Sequence, residues 1–335
     1  MPAPRFGLWY DFRNPGPDAP PFEALYRELL DQIVLAEQLG FESVWLTEHH
    51  FVEDGYTPSP LVLAAAIASR TERLHIGTNL MVLPLHDPIR IAEDAATVSI
   101  LSNGRFDLGV SIGYRADEFA AFGRHLKQRP SLLEEAVEVI RRAWSGQPLR
   151  FQGKRFRYGD IRVTPVPARP PRVLIGGMSP PAIERVARIG DGFLSTGGLG
   201  HDLYLDALAK QGKDPALGTI VAGHWAIIAE DPQAEMHRLA PYILWQTNCY
   251  VRWGAFGPDA REFQRVEDAV REGFYELWDA DTAVRELSSL IERYPQIEDI
   301  HFWARFPGEP VDSATRRLRY IASQVLPRLR AAPGA

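Results

Sequence analysis

Ser43-Val44-Trp45-Leu46-Thr47-Glu48-His49-His50-Phe51 is the stretch on which the reading of the fold turns. Residues 43–46 form a run too short for a helix and too apolar for a loop, so they read as a strand buried on both faces. A Glu-His-His triplet stands where that strand should end. Before it, Leu25, Leu29, Ile33, Ala36 and Leu39 recur at helical spacing, and Gly40 supplies a C-terminal stop. A polar, titratable cluster at the mouth of a buried strand needs a purpose, and the rest of the chain reads as the scaffold that holds it.

The same alternation runs in both directions. Residues 6–10 read as a strand, followed by a Pro/Gly/Asp-rich loop over 14–21. Downstream, Ser59 and Pro60 mark a helix start. Residues 74–78 form a third strand, a helix follows Pro88, and 106–112 form a fourth strand ended by Gly113. Residues 132–144 read as a helix and 151–158 as a small hairpin turning at Gly153-Lys154. Strands recur at 173–175, 192–195, 219–228 and 299–303, with a closing helix over about 314–329. Strand–helix alternation implies right-handed βαβ units and a parallel sheet. Eight such units in 335 residues predict an α/β fold, a (β/α)8 TIM barrel. It carries a small hairpin before strand 5 and a helical insertion after strand 7. That insertion, 231–293, is too long for one barrel helix and carries Tyr242, Trp245, Tyr250, Trp253 and Phe256. The chain, 1–335, is expected to be a single domain, with the insertion either a lid over an apolar substrate or a packing element.

Composition narrows the function classes. A net charge of −6 gives no general attraction to nucleic acid or to an anionic membrane. Cys249 is the only cysteine, which excludes an internal disulfide and a cysteine metal cluster. The apolar run 61–68 is far too short to span a bilayer, and the first residues lack an apolar signal core. A soluble, cytoplasmic protein is expected.

In a TIM barrel the active site gathers at the C-terminal ends of the strands. Those positions here are Asp11, Glu48-His49-His50, Asn79-Leu80, Gly113-Tyr114-Arg115, Gly176-Gly177-Met178-Ser179 and Ser195 to Gly198. Adjacent residues on extended backbone point to opposite sides, so His49 and His50 do not share one metal ion, and no HxH or HExxH spacing occurs; no metal is expected. The Gly176 to Ser179 run follows a strand and opens a helix, with Ser179 as N-cap and Pro180 at the first position. It is either a phosphate site or an ordinary tight turn. Arg115 either grips a phosphate or carboxylate or pairs with Asp117 or Glu118. No Rossmann fingerprint or Walker loop occurs.

Taken together, several runs resemble the bacterial luciferase-like flavin monooxygenase family. They are Trp45-Leu46-Thr47-Glu48-His49-His50-Phe51, then Gly77-Thr78-Asn79-Leu80-Met81-Val82-Leu83-Pro84 with Asp87-Pro88-Ile89-Arg90, then Ser102-Asn103-Gly104-Arg105-Phe106 and Gly109-Val110-Ser111-Ile112-Gly113-Tyr114. Gly176-Gly177, Gly190-Asp191-Gly192, Phe306-Pro307-Gly308 and Val325-Leu326-Pro327 follow in order. The resemblance implies a flavin-dependent monooxygenase using reduced FMN and O2 on a small, apolar organic substrate through a flavin C4a-peroxide. The alternatives it leaves are an F420-dependent oxidoreductase doing hydride transfer and a flavin-binding protein without turnover. It implies that His49 is the catalytic histidine, with Glu48 orienting it. Asn79 and Leu80 match a non-prolyl cis bulge against the flavin. Gly113, Tyr114 and the Gly176, Gly177, Met178 and Ser179 loop match ribityl and phosphate positions, and Ser111 and Arg115 join that cofactor-binding set. Ser111 stands where bacterial luciferase has a reactive cysteine, so light emission is not expected. The partners implied are a separate NAD(P)H-flavin reductase and a second copy of the chain in a homodimer.

Overall fold

Eight parallel strands close on themselves in the computed structural model, which describes residues 3–331. They are β1 (Arg5–Tyr10), β2 (Ser43–Leu46), β3 (His75–Thr78), β4 (Phe106–Ser111), β5 (Val173–Gly176), β6 (Gly192–Thr196), β7 (Ile220–His224) and β8 (Ile297–Trp303). Each pairs in parallel with its neighbours in sequence, β3 pairs with β4, and β8 returns to β1. The outer ring is α1 (Phe22–Leu39), α2 (Pro60–Ala68), α3 (Pro88–Leu101), α4 (Arg129–Trp144), α5 (Pro180–Ile189), α6 (His201–Lys210), α7 (Ala280–Arg293) and α8 (Val311–Tyr320). This is the (β/α)8 TIM barrel read from the sequence. The hairpin before β5 is present, with Leu149–Gln152 antiparallel to Arg157–Ile161.

The strand period of two sorts the side chains into two apolar layers. Leu8, Val44, Ile76, Leu108, Ile175, Phe193, Ala222 and Phe302 belong to the core shared with the helices. Trp9, Trp45, Leu174, Leu194, Val221 and Trp303 belong to the other, inside the barrel. Three indoles in so narrow a space require strands without side chains beside them. A Cβ on Gly77 would lie 2.2 Å from the Trp45 ring, and one on Gly109 would lie 1.8 Å from the Thr78 carbonyl oxygen. Asp299 is fully buried in the same interior and accepts hydrogen bonds from Trp45 Nε1 at 2.9 Å and Arg5 Nε at 3.0 Å.

At the closed, N-terminal end of the barrel, Asp107 pairs with His75 Nε2 at 2.8 Å and Arg172 Nη2 at 2.7 Å. Burial works against its ionisation, but His75 and Arg172 prevail and hold the carboxyl below the usual carboxylate range. The folded state therefore binds this proton more weakly than the unfolded chain, whose aspartates titrate near about 3.9. The resulting stabilisation is present above that pH and is lost as pH falls below it. Asp107→Asn is expected to lower stability at pH 7 and to flatten the acid limb of a urea-unfolding profile. Parallel wild-type and variant profiles between neutral and acid pH would show that the site contributes no such linkage.

Two local departures from the predicted elements matter for the site. Residues 219–228 do not form one strand. The run breaks at Trp225, and Ala226–Ile228 leaves the barrel to pair in parallel with Glu276–Trp278 as a separate two-stranded sheet. A Pro232–Arg252 helix and a short Val266–Arg271 helix lie between these strands. Within the expected 231–293 insertion, α7 packs on the C-terminal helical run 321–330, as a barrel helix does. The extra layer shares its core with the barrel interior, since Ile227, Met236, Leu239, Ile243 and Tyr275 join Trp9 and Trp303 in one cluster. The second departure is a bulge. The Asn79–Leu80 peptide bond is cis, and Met81–Val82 beyond it pairs with Val110 and Ser111 of β4.

Candidate active site

Alternation carries on past the end of β2. His49 faces one way, towards the short Ala116–Ala121 helix that follows β4. Glu48 and His50 face the other. The carboxylate beside His49 is therefore Glu118, with Oε1 at 2.9 Å from His49 Nδ1. This corrects the expectation that Glu48 orients the histidine. Glu48 Oε2 instead accepts the Val82 N–H at 2.5 Å, and Oε1 lies 2.9 Å from His86 Nε2. Burial opposes ionisation of Glu48, yet His86 and His50 outweigh it and hold the carboxyl at about 2.

Glu118 is fully buried, and its Oε1 also accepts the His50 backbone N–H at 2.8 Å and Arg115 Nη1 at 3.3 Å. An oxygen surrounded by donors is an ionised acceptor, so His49 Nδ1 carries the hydrogen and Nε2 keeps its lone pair. The Tyr114 hydroxyl lies 3.1 Å from Nε2 and donates to it. Burial pushes the His49 pKa down against the pull of Glu118, which favours the neutral ring that this arrangement requires. Burial also raises the Tyr114 pKa well above its ordinary value. The result is a carboxylate–imidazole–phenol chain with one fixed tautomer. It can take a proton from a reacting hydroxyl or return one.

Aromatic rings enclose His49. Tyr56 lies at 4.8 Å between ring centroids, Trp253 at 5.1 Å, Tyr114 at 5.5 Å and Tyr250 at 6.4 Å. Tyr250 and Trp253 come from the end of the insertion helix, and the Tyr56 and Tyr250 hydroxyls are 2.5 Å apart. Two guanidiniums border the cage. Arg13 is fully buried, pairs with Asp54 at 2.7 Å, and lies over the Tyr56 and Trp253 rings. Arg115 lies over Trp253 and is bound to Asp117, Glu118 and the His50 carbonyl. Of the two roles open to Arg115 in the sequence, the structure gives it the ion pairs. Asp11, at the end of β1, accepts the Arg13 N–H at 3.2 Å, and burial lifts its carboxyl to about 6 against the neighbouring arginines.

The remaining expected residues lie on the same strand-end face. Asn79 is buried. Its carbonyl accepts Trp9 Nε1 at 2.8 Å, and its side-chain amide donates to His301 Nε2 at 2.8 Å, so the bulge is held from beneath. A Cβ on Gly176 would lie 2.7 Å from the Leu80 side chain, so this glycine lets the bulge and the end of β5 approach. Gly113 adopts φ +70°, in the left-handed region, and Ser111 Oγ accepts its N–H at 3.4 Å. Gly177 packs on Ala182, Met178 is exposed, and Ser179 precedes Pro180 at the start of α5 without a side-chain cap. Pro180 and Pro181 carry no N–H, and the Ala182 and Ile183 N–H groups both donate to the Ser179 carbonyl, at 2.9 and 3.0 Å, so the first turn of α5 offers no free backbone donor.

Sequence reasoning missed Glu118, Tyr56 and Arg13 as neighbours of His49. Glu118 had one signal: it lies three residues after Arg115, the spacing of a helical ion pair, which the structure forms.

Residues 4–289 match the protein family described as luciferase-like monooxygenase. An F420-dependent glucose-6-phosphate dehydrogenase from Intrasporangium calvum is 30% identical over 323 residues, covering 91% of this chain and 95% of that protein. One from Amycolatopsis mediterranei is 35% identical over 204 residues, which span 58% of this chain and 61% of that protein. The crystal structure of monooxygenase RslO1 from Streptomyces bottropensis superimposes with a TM-score of 0.81 at 24% identity, covering 96% of this chain and 99% of that one, and shows a shared fold.

Proposed function

The chain belongs to the luciferase-like monooxygenase family, and from that premise we propose that it is an F420-dependent oxidoreductase interconverting an uncharged, largely apolar alcohol and its carbonyl compound. The observation that carries this reading is the Glu118–His49–Tyr114 chain. Oxidising an alcohol releases a proton from oxygen as the hydride leaves carbon, and a neutral imidazole with a fixed lone pair is built to receive it. Oxygen insertion makes less use of such a base. The near full-length relative named as F420-dependent supports the same choice over FMN.

The residues present fit a flavin-type cofactor. The bulge at Leu80 offers an apolar face, and Gly176 clears the space beside it. Leu80 and Asn79 would lie beneath the ring, with Ser111, Gly113 and Gly176 to Ser179 along the side chain and phosphate. Bound there, F420 supplies a hydride acceptor. His49 Nε2 takes the hydroxyl proton, directly or through Tyr114, and Glu118 stabilises the imidazolium that forms. The aromatic cage excludes water from the reacting atoms.

The substrate class follows from charge. Both cations beside the cage, Arg13 and Arg115, are charge-balanced by the protein's own carboxylates, with only Arg13 Nη1 left without a partner, and four aromatic rings form the wall. A sugar phosphate, the substrate named for the relatives, would need a free cation there; a neutral alcohol does not. The NAD(P)H-flavin reductase belongs to the FMN reading. Among the described residues no helix is long and apolar enough to cross a membrane.

Anaerobic titration with F420 and with FMN, followed by turnover with 1-phenylethanol, cyclohexanol, 2-propanol and glucose 6-phosphate, tests this reading. Expected are micromolar F420 binding and loss of the oxidised deazaflavin absorbance with the neutral alcohols. Binding of reduced FMN with substrate-dependent O2 uptake, and no F420 turnover, would establish the monooxygenase instead. Cofactor binding without turnover of any kind would leave a carrier protein.

A further inference from the structure

The alternation that separates His49 from His50 places Glu48 and His50 on the same side. There the loop after the bulge adds a third donor, His86. We propose that Glu48, His50 and His86 form a binding site for a divalent transition-metal ion, with zinc the ion that this donor set suits. Glu48 Oε1 lies 2.9 Å from His86 Nε2 and 3.3 Å from His50 Nε2, and the three donor atoms all lie within 4.8 Å of one another. Zinc–ligand bonds of roughly 2.0–2.1 Å at tetrahedral angles put donor atoms about 3.3 Å apart, so small rotations of the two rings complete the set.

Three further features fit an ion. His50 is nine-tenths buried, and its Nε2 has no hydrogen-bond partner although it points at the carboxylate. Glu48 Oε2 is held by the Val82 N–H, which fixes the carboxylate and leaves Oε1 to bind as a single ligand. The His86 side chain is 20% exposed, which gives the ion an entry path and leaves a fourth position open to water. Phe122 packs on His50 at 4.8 Å between ring centroids and shields the opposite flank. Two histidines and one carboxylate are a familiar zinc donor set, with neither thiolate nor a second carboxylate required. An ion here ties the end of β2 to the loop that follows the bulge, on both sides of His49. The site is independent of the cofactor reading, because none of its donors touches the His49 cage through its side chain.

The test uses the full chain, tag-free and stripped with EDTA. Equilibrium dialysis against ZnSO4 with elemental analysis is expected to give one ion per chain at micromolar free zinc. Cobalt substitution is expected to give the intense visible bands of a four-coordinate site. His86→Ala, at a partly exposed position, is expected to keep the wild-type circular dichroism and to lose at least about 100-fold in zinc affinity, since even outer-shell losses reach about 10–100-fold. The zinc-induced rise in Tm should vanish with it. His50→Ala should behave alike if it folds, and His86→Ala decides the matter if it does not. Binding below about 0.1 ion per chain at 100 micromolar zinc, or equal binding by wild type and His86→Ala, overturns the proposal and leaves the three residues as an ion-paired cluster.

Discussion

His49→Ala is expected to lower kcat/KM for alcohol oxidation by about 10^3-fold, within the roughly 10^2–10^4-fold range of a positioned general base, while the Kd for F420 changes little. The histidine's Nε2 is the unprotonated nitrogen of the Glu118–His49–Tyr114 chain, 3.1 Å from the Tyr114 hydroxyl. Glu118→Gln tests the tautomer. The glutamine keeps the shape of the side chain but cannot stabilise an imidazolium, so its loss should fall on kcat rather than on KM. Tyr114→Phe should cost less than His49→Ala if the phenol only relays the proton. A fall of under about tenfold for His49→Ala, read from the rate of deazaflavin reduction, would remove the base from the reaction.

The largest stability effect is expected at Glu309, where the chain turns from β8 into α8. The residue is fully buried and receives Arg317 through both oxygens, at 2.8 Å each, together with Ser313 Oγ at 2.7 Å and the Phe306 N–H at 3.1 Å. Arg317 pulls the Glu309 carboxyl down in spite of its burial. Glu309→Ala leaves the Arg317 guanidinium buried without its main partner, which costs about 3–5 kcal/mol. At about 2.1 cal/mol/K per residue for a chain this long, Tm should fall by about 4–7 °C. Replacing both partners, Glu309→Leu with Arg317→Met, should recover most of the loss, because the penalty comes from the stranded charge. Calorimetry decides this: equal Tm values for the single and double variants would mean that the lost hydrogen bonds to Ser313 and Phe306, rather than the charge, set the cost.

Much of the scaffold was legible in the sequence. The buried 43–46 strand, the helix stop at Gly40, the Ser59-Pro60 start and the hairpin at Gly153-Lys154 are set by neighbours a few residues apart, and all appear in the structure. The misreadings have local causes too. Residues 219–228 are apolar throughout, and hydrophobic periodicity has no mark for the point at which such a run changes sheets. The six-residue helix carrying Glu118 is too short to show a period at all.

By itself, then, the sequence determined the barrel, the order of its units and the end at which polar residues gather. Strand period, helix period and turn chemistry are local properties, and the eightfold repetition leaves little choice of closure. It also placed His49 at a strand mouth. What that histidine does was decided only by the tertiary structure. Its carboxylate partner is 69 residues away, and the tyrosine pair in its wall joins positions 194 residues apart. Barrel closure and the docking of the insertion bring these groups together. The direction a side chain takes at a strand end, towards Glu118 for His49 and towards His86 for Glu48, depends on packing from elements that no local pattern specifies.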